Sequence, residues 1–207
     1  MFQVVIAFLY PFISVNMEGA VARQFYNNSK IKFEQYVGNS IIVSILSFCV
    51  FLLLPLFLSD LFFRITFINE FWQYFAIICC FFQFLTTLVL TLWQVEQKPI
   101  KYGSFQIGLS FINFVLSILL VVVLNYKWQG RILAQLLSLG VFFLIAIFLL
   151  KNRKIKLKLN FEYIKDALKF GAPLIPHAIG GMLLTMIDRF FLTKYCGLSA
   201  TGNYSVA

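Results

Sequence analysis

Six stretches of the sequence contain no Asp, Glu, Lys or Arg and are long enough to cross a lipid bilayer. A bilayer core takes roughly 20 apolar residues in a helix, and these stretches have 17 to 25 residues each. They are residues 1–17, 35–59, 71–95, 102–126, 132–150 and 170–187. Because lipid offers no hydrogen-bond partners, and the stretches lack the alternation of barrel strands, they must be helices. The sequence therefore predicts an all-α, polytopic membrane protein.

The first stretch differs from a secretory signal peptide. It has no basic start, and Pro11, Asn16 and Glu18 stand where a cleavage region would be. We therefore expect a membrane span that continues to about Ala22. Hydrophobic residues make up 61% of the chain and charged residues only 12%, against about 25% charged in soluble domains. This composition excludes a soluble enzyme.

The basic residues predict how the chain threads through the membrane. Twelve of the 17 Lys and Arg residues fall in alternate loops at residues 23–36, 95–102 and 151–169. Since these loops are expected to be cytoplasmic, Met1 is placed outside. A chain that starts outside without a charged leader, and stops at Ala207 as a seventh crossing begins, suggests a fragment. The net charge of +9 is expected to face anionic membrane lipids rather than nucleic acid.

The longest hydrophilic stretch divides the chain. Residues 1–150 are predicted to form five spans of one transmembrane lobe, 151–169 a basic cytoplasmic linker, and 170–207 the start of a second lobe. Apolar residues alternate with lysines at the start of the linker, which fits an amphipathic surface segment or a solvated loop equally well. The helix after the linker is expected to begin near Leu174, after the helix breakers Gly171 and Pro173.

Motifs for enzymatic chemistry are missing from the sequence. There is no phosphate-binding G-x-x-x-x-G-K-[ST] loop, no H-E-x-x-H zinc motif and no G-x-S-x-G nucleophile motif. One histidine and four cysteines do not form a convincing catalytic or zinc site. We therefore predict that the protein is not an enzyme and has no cofactor or metal.

Charged residues within the spans are candidates for function, since each costs roughly 2.5–3.5 kcal/mol at the centre of a membrane helix. Arg23 fits contact with another helix or a ligand, and both Arg23 and Arg189 also fit interfacial anchors that reach the lipid surface. Glu18 and Asp188 fit either structural pairs or a coupling site. His177 fits a hydrogen-bonded core residue better than a proton switch.

One predicted helix carries a polar stripe. Gln106, Ser110, Asn113 and Ser117 recur at i, i+4, i+7 and i+11, so they share one face of an otherwise apolar helix. Such a face contacts either another helix through hydrogen bonds or the water of a cavity. The second alternative would suit a large ligand with sugar hydroxyls, and it makes Gln106 and Asn113 candidate substrate-binding residues.

Three groups of residues carry a resemblance to a known family. The last 38 residues contain Gly171, Pro173, Leu174, Pro176 and His177, then Asp188, Arg189 and Phe190, then Gly197, and finally Gly202, Tyr204 and Ser205. The first span ends with Glu18, Gly19, Ala20, Arg23, Phe25 and Tyr26, and the turn before the fifth span of the sequence contains Trp128, Gly130 and Arg131. In order and spacing these resemble the polysaccharide flippases, including O-antigen flippases, of the multidrug/oligosaccharidyl-lipid/polysaccharide exporter superfamily.

The resemblance implies a place in a larger bundle and a function. Residues 1–150 would be helices two to six, and 170–196 helix seven, of a two-lobe exporter with 12 to 14 helices. The protein would move a polyprenyl-pyrophosphate-linked oligosaccharide across the cytoplasmic membrane for cell-surface polysaccharides such as lipopolysaccharide. Arg23 and Arg189 would contact the pyrophosphate, and Asp188 would orient helix seven or join a relay for H⁺ or Na⁺.

Three other functions remain compatible with the sequence. A multidrug antiporter of the same superfamily would need a carboxylate-lined cavity for cationic drugs. A membrane-bound acyl- or glycosyltransferase would need a His or acidic catalytic group at a membrane face, for which His177 alone is weak support. A membrane scaffold that transports nothing would tolerate neutralisation of every embedded charge.

Overall fold

The computed structural model of the protein describes residues 2–27, 32–66 and 70–206, with side chains described for 2–27, 32–55, 71–184, Phe191 and Tyr195. These residues form helices and contain no strand, which confirms the predicted all-α class. The α-helices are α1 (Phe2–Ser14), α2 (Met17–Tyr26), α3 (Phe33–Thr66), α4 (Glu70–Val95), α5 (Pro99–Ile118), α6 (Lys127–Asn152) and α7 (Phe161–Val206). A short π-helix, Leu119–Val123, extends α5.

The described helices are long and apolar enough to cross a membrane five or six times. Five single segments meet this condition: Phe33–Pro55, Phe71–Val95, Pro99–Val123, Lys127–Asn152 and Phe161–Leu184. The pair α1 and α2 meets it together, with a bend of 50° between the two helices. The protein is therefore a multi-pass membrane protein, and its spans lie at the six charge-free stretches of the sequence.

The first span is broken, which corrects the expectation of one helix continuing to Ala22. Helix α1 ends at Ser14 and α2 begins at Met17. Between them, Val15 and Asn16 have left-handed backbone angles, with φ of 50° and 48°. A right-handed helix cannot pass through two such residues, and a β-branched valine is strained in this conformation. These two residues therefore bend the chain within the predicted membrane segment.

The linker between α6 and α7 is shorter than predicted. Helix α7 begins at Phe161, not near Leu174, and it continues through Gly171, Pro173 and Pro176. The Asn160 side chain accepts a hydrogen bond from the Glu162 backbone N–H (3.0 Å) and thereby caps the helix. Only residues 153–160 lie between the two helices, and α7 continues to Val206, beyond residue 196, where the resemblance would end helix seven.

Helix α4 lies at the centre of the bundle. It packs against α1, α3 and α6, and its fully buried residues include Ala76, Cys79, Phe84 and Leu88. Helix α5 lies at the outside, and Phe105 is its only buried residue. Exposed aromatic and aliphatic side chains on α5, such as Phe111 and Phe114, are the expected surface of a helix that contacts lipid or another part of a membrane protein.

An ion pair joins the end of α4 to the end of α6. The Glu96 carboxylate accepts hydrogen bonds from Arg153 Nη1 and from Arg153 Nη2 (3.0 Å), and also from Lys98 Nζ (2.8 Å). The Glu96 and Arg153 side chains are 19% and 26% exposed, so solvent screens this pair less than a surface pair. Partial burial raises the pKa of Glu96, but the hydrogen bonds and charges of Arg153 and Lys98 outweigh burial and hold the pKa below its ordinary value.

We expect Glu96→Gln to lower the free energy of unfolding by about 1–2 kcal/mol at pH 7, because it removes a charge-assisted pair. A carboxyl group with a depressed folded pKa stabilises the fold at pH values above its unfolded pKa, about 4.3. That contribution is lost as the pH falls through the folded pKa. Thermal unfolding of both proteins at pH 7 and in steps below pH 4.5 should therefore show the difference shrinking in acid. A difference that persists in acid would contradict the ion-pair explanation.

Candidate substrate cavity

A cavity of about 820 Å³ opens between α1, α4, α5, α6 and α7. Ten of its 17 lining residues are polar, although the helices that form it are predominantly apolar. The polar residues are Gln3, Tyr10, Asn16, Gln83, Thr86, Thr87, Gln106, Asn113, Arg131 and Gln135. Polar side chains in membrane helices are costly unless they meet water, protein or a ligand. The cavity is thus a surface suited to hydrogen bonding within the predicted membrane region.

Among the lining residues that the structure describes, Arg131 is the single charged one. Its Nη1 donates hydrogen bonds to Asn113 Oδ1 (2.5 Å) and Ser117 Oγ (2.6 Å) on α5. In the part of the chain whose side chains are described, Arg131 forms no salt bridge. Two neutral acceptors therefore fix the guanidinium group while its positive charge stays uncompensated, an arrangement suited to binding an anion.

A chain of hydrogen bonds holds the residues around Arg131 in place. Asn113 Nδ2 donates to Ser138 Oγ (2.9 Å), and the Ser138 hydroxyl donates to the Gln135 backbone carbonyl (2.9 Å). The Gln135 side chain in turn accepts a hydrogen bond from Gln3 on α1. The chain connects α1, α5 and α6 around the cavity, so the position of Arg131 depends on all three helices.

Glu18 lies next to the cavity but does not line it. Its Oε1 accepts a hydrogen bond from the Tyr10 hydroxyl (2.9 Å), and Tyr10 is itself a lining residue. Glu18 Oε2 and Asn16 Nδ2 are buried and have no hydrogen-bond partner among the described residues. Both residues are at the break between α1 and α2, so buried polar groups accompany the strained backbone there.

Arg23 pairs with α7 instead of facing the cavity. Its Nη2 contacts Asp166 Oδ2 at 2.5 Å, and the Tyr36 hydroxyl donates to the same oxygen at 3.0 Å. The guanidinium group also lies over the Phe170 ring, 4.6 Å from its centroid. These contacts connect α2, α3 and α7, and Arg23 is not among the cavity residues.

The remaining predicted site residues divide into three groups. Gln106 and Asn113 line the cavity, with Ser110 and Ser117 in a neighbouring pocket. His177 is exposed on α7 and is not a lining residue, although the next residue, Ala178, is one. Asp188 and Arg189 belong to α7, but their side chains lie outside the described residues.

The chain is similar to known proteins over its whole length. The sequence model of the family described as polysaccharide biosynthesis protein matches residues 1–207 of the chain. The chain belongs to this family. It is also similar to "Lsg locus putative protein 1" of Haemophilus influenzae, with 25% identity over 211 residues that cover 99% of this chain and 50% of that protein. The chain thus spans about half the length of this curated relative. No solved structure matches the chain significantly.

In this member of the polysaccharide biosynthesis protein family, the polar stripe of α5 meets both alternatives, because Gln106 and Asn113 line the cavity and Asn113 also bonds α6; a matching polar face on α6 was not predicted. Arg131, Gln135 and Ser138 recur at i, i+4 and i+7, the same helical spacing that identified the stripe on α5. Arg131 belongs to the first turns of α6, whereas the sequence places it in the turn before this span. The spacing to Gln135 and Ser138 is the signal that would have placed it on a helix face.

Proposed function

We propose that this chain forms part of a transporter that moves a lipid-linked oligosaccharide across the cytoplasmic membrane for polysaccharide biosynthesis. The observation that carries the proposal is the cavity itself, a space between apolar helices lined by ten polar residues, among them Arg131, which forms no salt bridge with any described side chain. Hydroxyl and amide side chains match sugar hydroxyls, and Arg131 matches a phosphate group. Because the chain spans about half of its relative, transport is proposed for the whole protein of which it would be a part.

The surroundings of Arg131 fit the three chemical parts of such a substrate. A second pocket of about 340 Å³ shares Leu109, Asn113 and Arg131 with the cavity and also contains the exposed Phe114 of α5. Arg131 therefore lies between a polar space and an outer apolar surface. In our proposal the glycan occupies the cavity, the pyrophosphate contacts Arg131, and the prenyl tail stays on the apolar side of α5.

The break between α1 and α2 is our candidate for ion coupling. Broken membrane helices commonly surround the ion and substrate sites of transporters, and here the break places Glu18 beside Tyr10 and the cavity edge. A buried carboxylate with one unpartnered oxygen could take up H⁺ or Na⁺. Asp188 remains a second candidate on α7.

The alternatives fit this geometry less well. A multidrug antiporter for cations would need an acidic cavity, but Arg131 is the only charged residue among the described lining residues, and Glu18 lies behind Tyr10. A membrane transferase would need a His or acid in contact with its substrate. Neither is among the lining residues, and His177 is exposed on α7.

The function is tested in cells depleted of the full-length protein by measuring the leaflet distribution of the lipid-linked oligosaccharide. We expect the oligosaccharide to accumulate on the cytoplasmic leaflet while its synthesis continues. Normal export with altered drug sensitivity would favour the antiporter instead. Absence of the lipid-linked oligosaccharide from both leaflets would favour a biosynthetic enzyme.

A further inference from the structure

The segment between α6 and α7, residues 153–160, is held against α3 by side chains that bind its backbone. We call this segment the strap. The Lys158 carbonyl accepts hydrogen bonds from Gln35 Nε2 (3.2 Å) and Asn39 Nδ2 (3.0 Å). The Asn160 N–H donates to Asn39 Oδ1 (2.9 Å). The strap is therefore fixed to α3 through the backbone of Lys158 and of Asn160, although it has no helical structure of its own.

Gly38 allows the strap to lie directly on α3. A Cβ atom at this position would be 2.2 Å from the Lys156 carbonyl oxygen, closer than any side chain permits. Ile155 packs against the hydrophobic core and fixes the start of the strap. Because its backbone and Ile155 face the protein, Arg153 pairs with Glu96 and Asn160 caps α7, the side chains presented outward are those of residues 154 and 156–159.

The outward side chains alternate between cationic and apolar. Lys154, Lys156 and Lys158 are exposed, and in the region with described side chains none of them forms a salt bridge. Leu157 and Leu159 lie between and after them and are 65% and 60% exposed. Two leucines exposed to water do not stabilise a loop. At a lipid interface, by contrast, leucine side chains can enter the apolar layer while lysine side chains reach the headgroups.

The position of the strap places it at a membrane surface. Both helices that it connects, α6 and α7, are long and apolar enough to cross the bilayer. On the same side of the bundle, the Lys32 N–H donates to the Tyr163 hydroxyl (3.5 Å). Close to Lys32 in sequence, the Phe25 ring packs edge-on against Tyr26 and Phe33. Aromatic clusters of this kind are typical of the interface between lipid and water.

We propose that the strap is a binding surface for anionic phospholipid headgroups. The three lysines contact headgroup phosphates, and Leu157, Leu159 and the first residue of α7, Phe161, insert among the upper acyl carbons. Phe161 is 82% exposed, as an inserted residue should be in the absence of lipid. Since the strap is hydrogen-bonded to α3 and leads directly into α7, lipid binding at this surface also stabilises the contact between α3 and α7.

The test uses the full-length protein in nanodiscs of phosphatidylglycerol and phosphatidylcholine, with retained lipids measured by mass spectrometry after extraction. We expect the wild type to retain phosphatidylglycerol preferentially, and Lys156→Gln with Lys158→Gln to lower this preference by at least about fivefold, the factor expected for one lysine near a charged surface. Raising the salt concentration from 0.1 to 1 M should lower the preference of the wild type as well.

The matched control is Lys101→Gln with Lys127→Gln, which removes the same charge from exposed positions outside the strap. Because Lys101 lies in a predicted cytoplasmic loop, the control should lose some preference for phosphatidylglycerol, but clearly less than the strap variant. The proposal is overturned if the control loses as much preference as the strap variant, or if the strap variant loses none. A purified complex in which an acidic protein covers the strap and excludes lipid would also overturn it.

Discussion

Substituting Arg131 by Gln in the full-length protein is expected to lower the flipping rate at subsaturating substrate by about 10- to 100-fold. Hydrogen bonds to charged groups contribute about 1.5–3 kcal/mol each, which corresponds to this range in affinity. Within the described part of the chain, Arg131 is the only charged residue that lines the cavity, and it has no acidic partner there. Loss of its charge therefore removes the proposed contact with the pyrophosphate. The measurement is transfer of a lipid-linked oligosaccharide between leaflets of proteoliposomes.

Arg131→Lys should restore only part of the rate. An ammonium group keeps the charge but lacks the planar fork of donors, so it cannot bind Asn113, Ser117 and a phosphate in the same geometry. The matched control is Lys127→Gln, which removes an exposed charge from the first turn of the same helix. If Lys127→Gln slowed flipping as much as Arg131→Gln, the rate would depend on the charge of this end of the bundle and not on a site at Arg131.

The positions of the spans could be predicted from the sequence. Each charged residue in lipid costs free energy at its own position, so charge-free stretches mark the spans. The charge-free stretch 71–95 coincides with the span Phe71–Val95, and the polar stripe on α5 followed from helical spacing alone. The partners of embedded charges could not be predicted in this way. Arg23 pairs with Asp166, 143 residues away, and Arg131 bonds Asn113 on a different helix. Such pairs depend on how the helices pack against each other, and counting charges along the sequence gives no information about that packing.

The conformational preferences of single residues also led to wrong predictions for two helix boundaries, the end of α1 and the start of α7. Val15 is a β-branched residue that rarely adopts left-handed angles, so nothing in its type predicts that α1 ends beside it. Gly171 and Pro173 are typical of a helix start, yet Asn160 caps α7 eleven residues before Gly171. Gly171 is buried within α7 at the point where this helix contacts the break between α1 and α2.

We expect Gly171→Ala to lower the free energy of unfolding by about 1–3 kcal/mol, the usual cost of overpacking a well-packed site. A Cβ atom on Gly171 would lie 2.2 Å from the Val15 carbonyl oxygen and 3.1 Å from the Met17 methyl group. The Met17 side chain can move, but the Val15 carbonyl belongs to the strained break between α1 and α2. The variant must therefore separate α7 from the break, which a lower thermal unfolding midpoint of the purified full-length protein would report.

Gly180→Ala is the matched control on the same helix. A Cβ atom at Gly180 meets nothing within 4 Å, so the substitution should only reduce the flexibility of the unfolded chain and raise stability by up to about 1 kcal/mol. The two variants make the same chemical change with opposite expected signs, so their difference isolates the contact with Val15. Equal unfolding midpoints would mean that α7 does not approach the Val15 carbonyl oxygen this closely, and the contact between α7 and the break would then contribute nothing to stability.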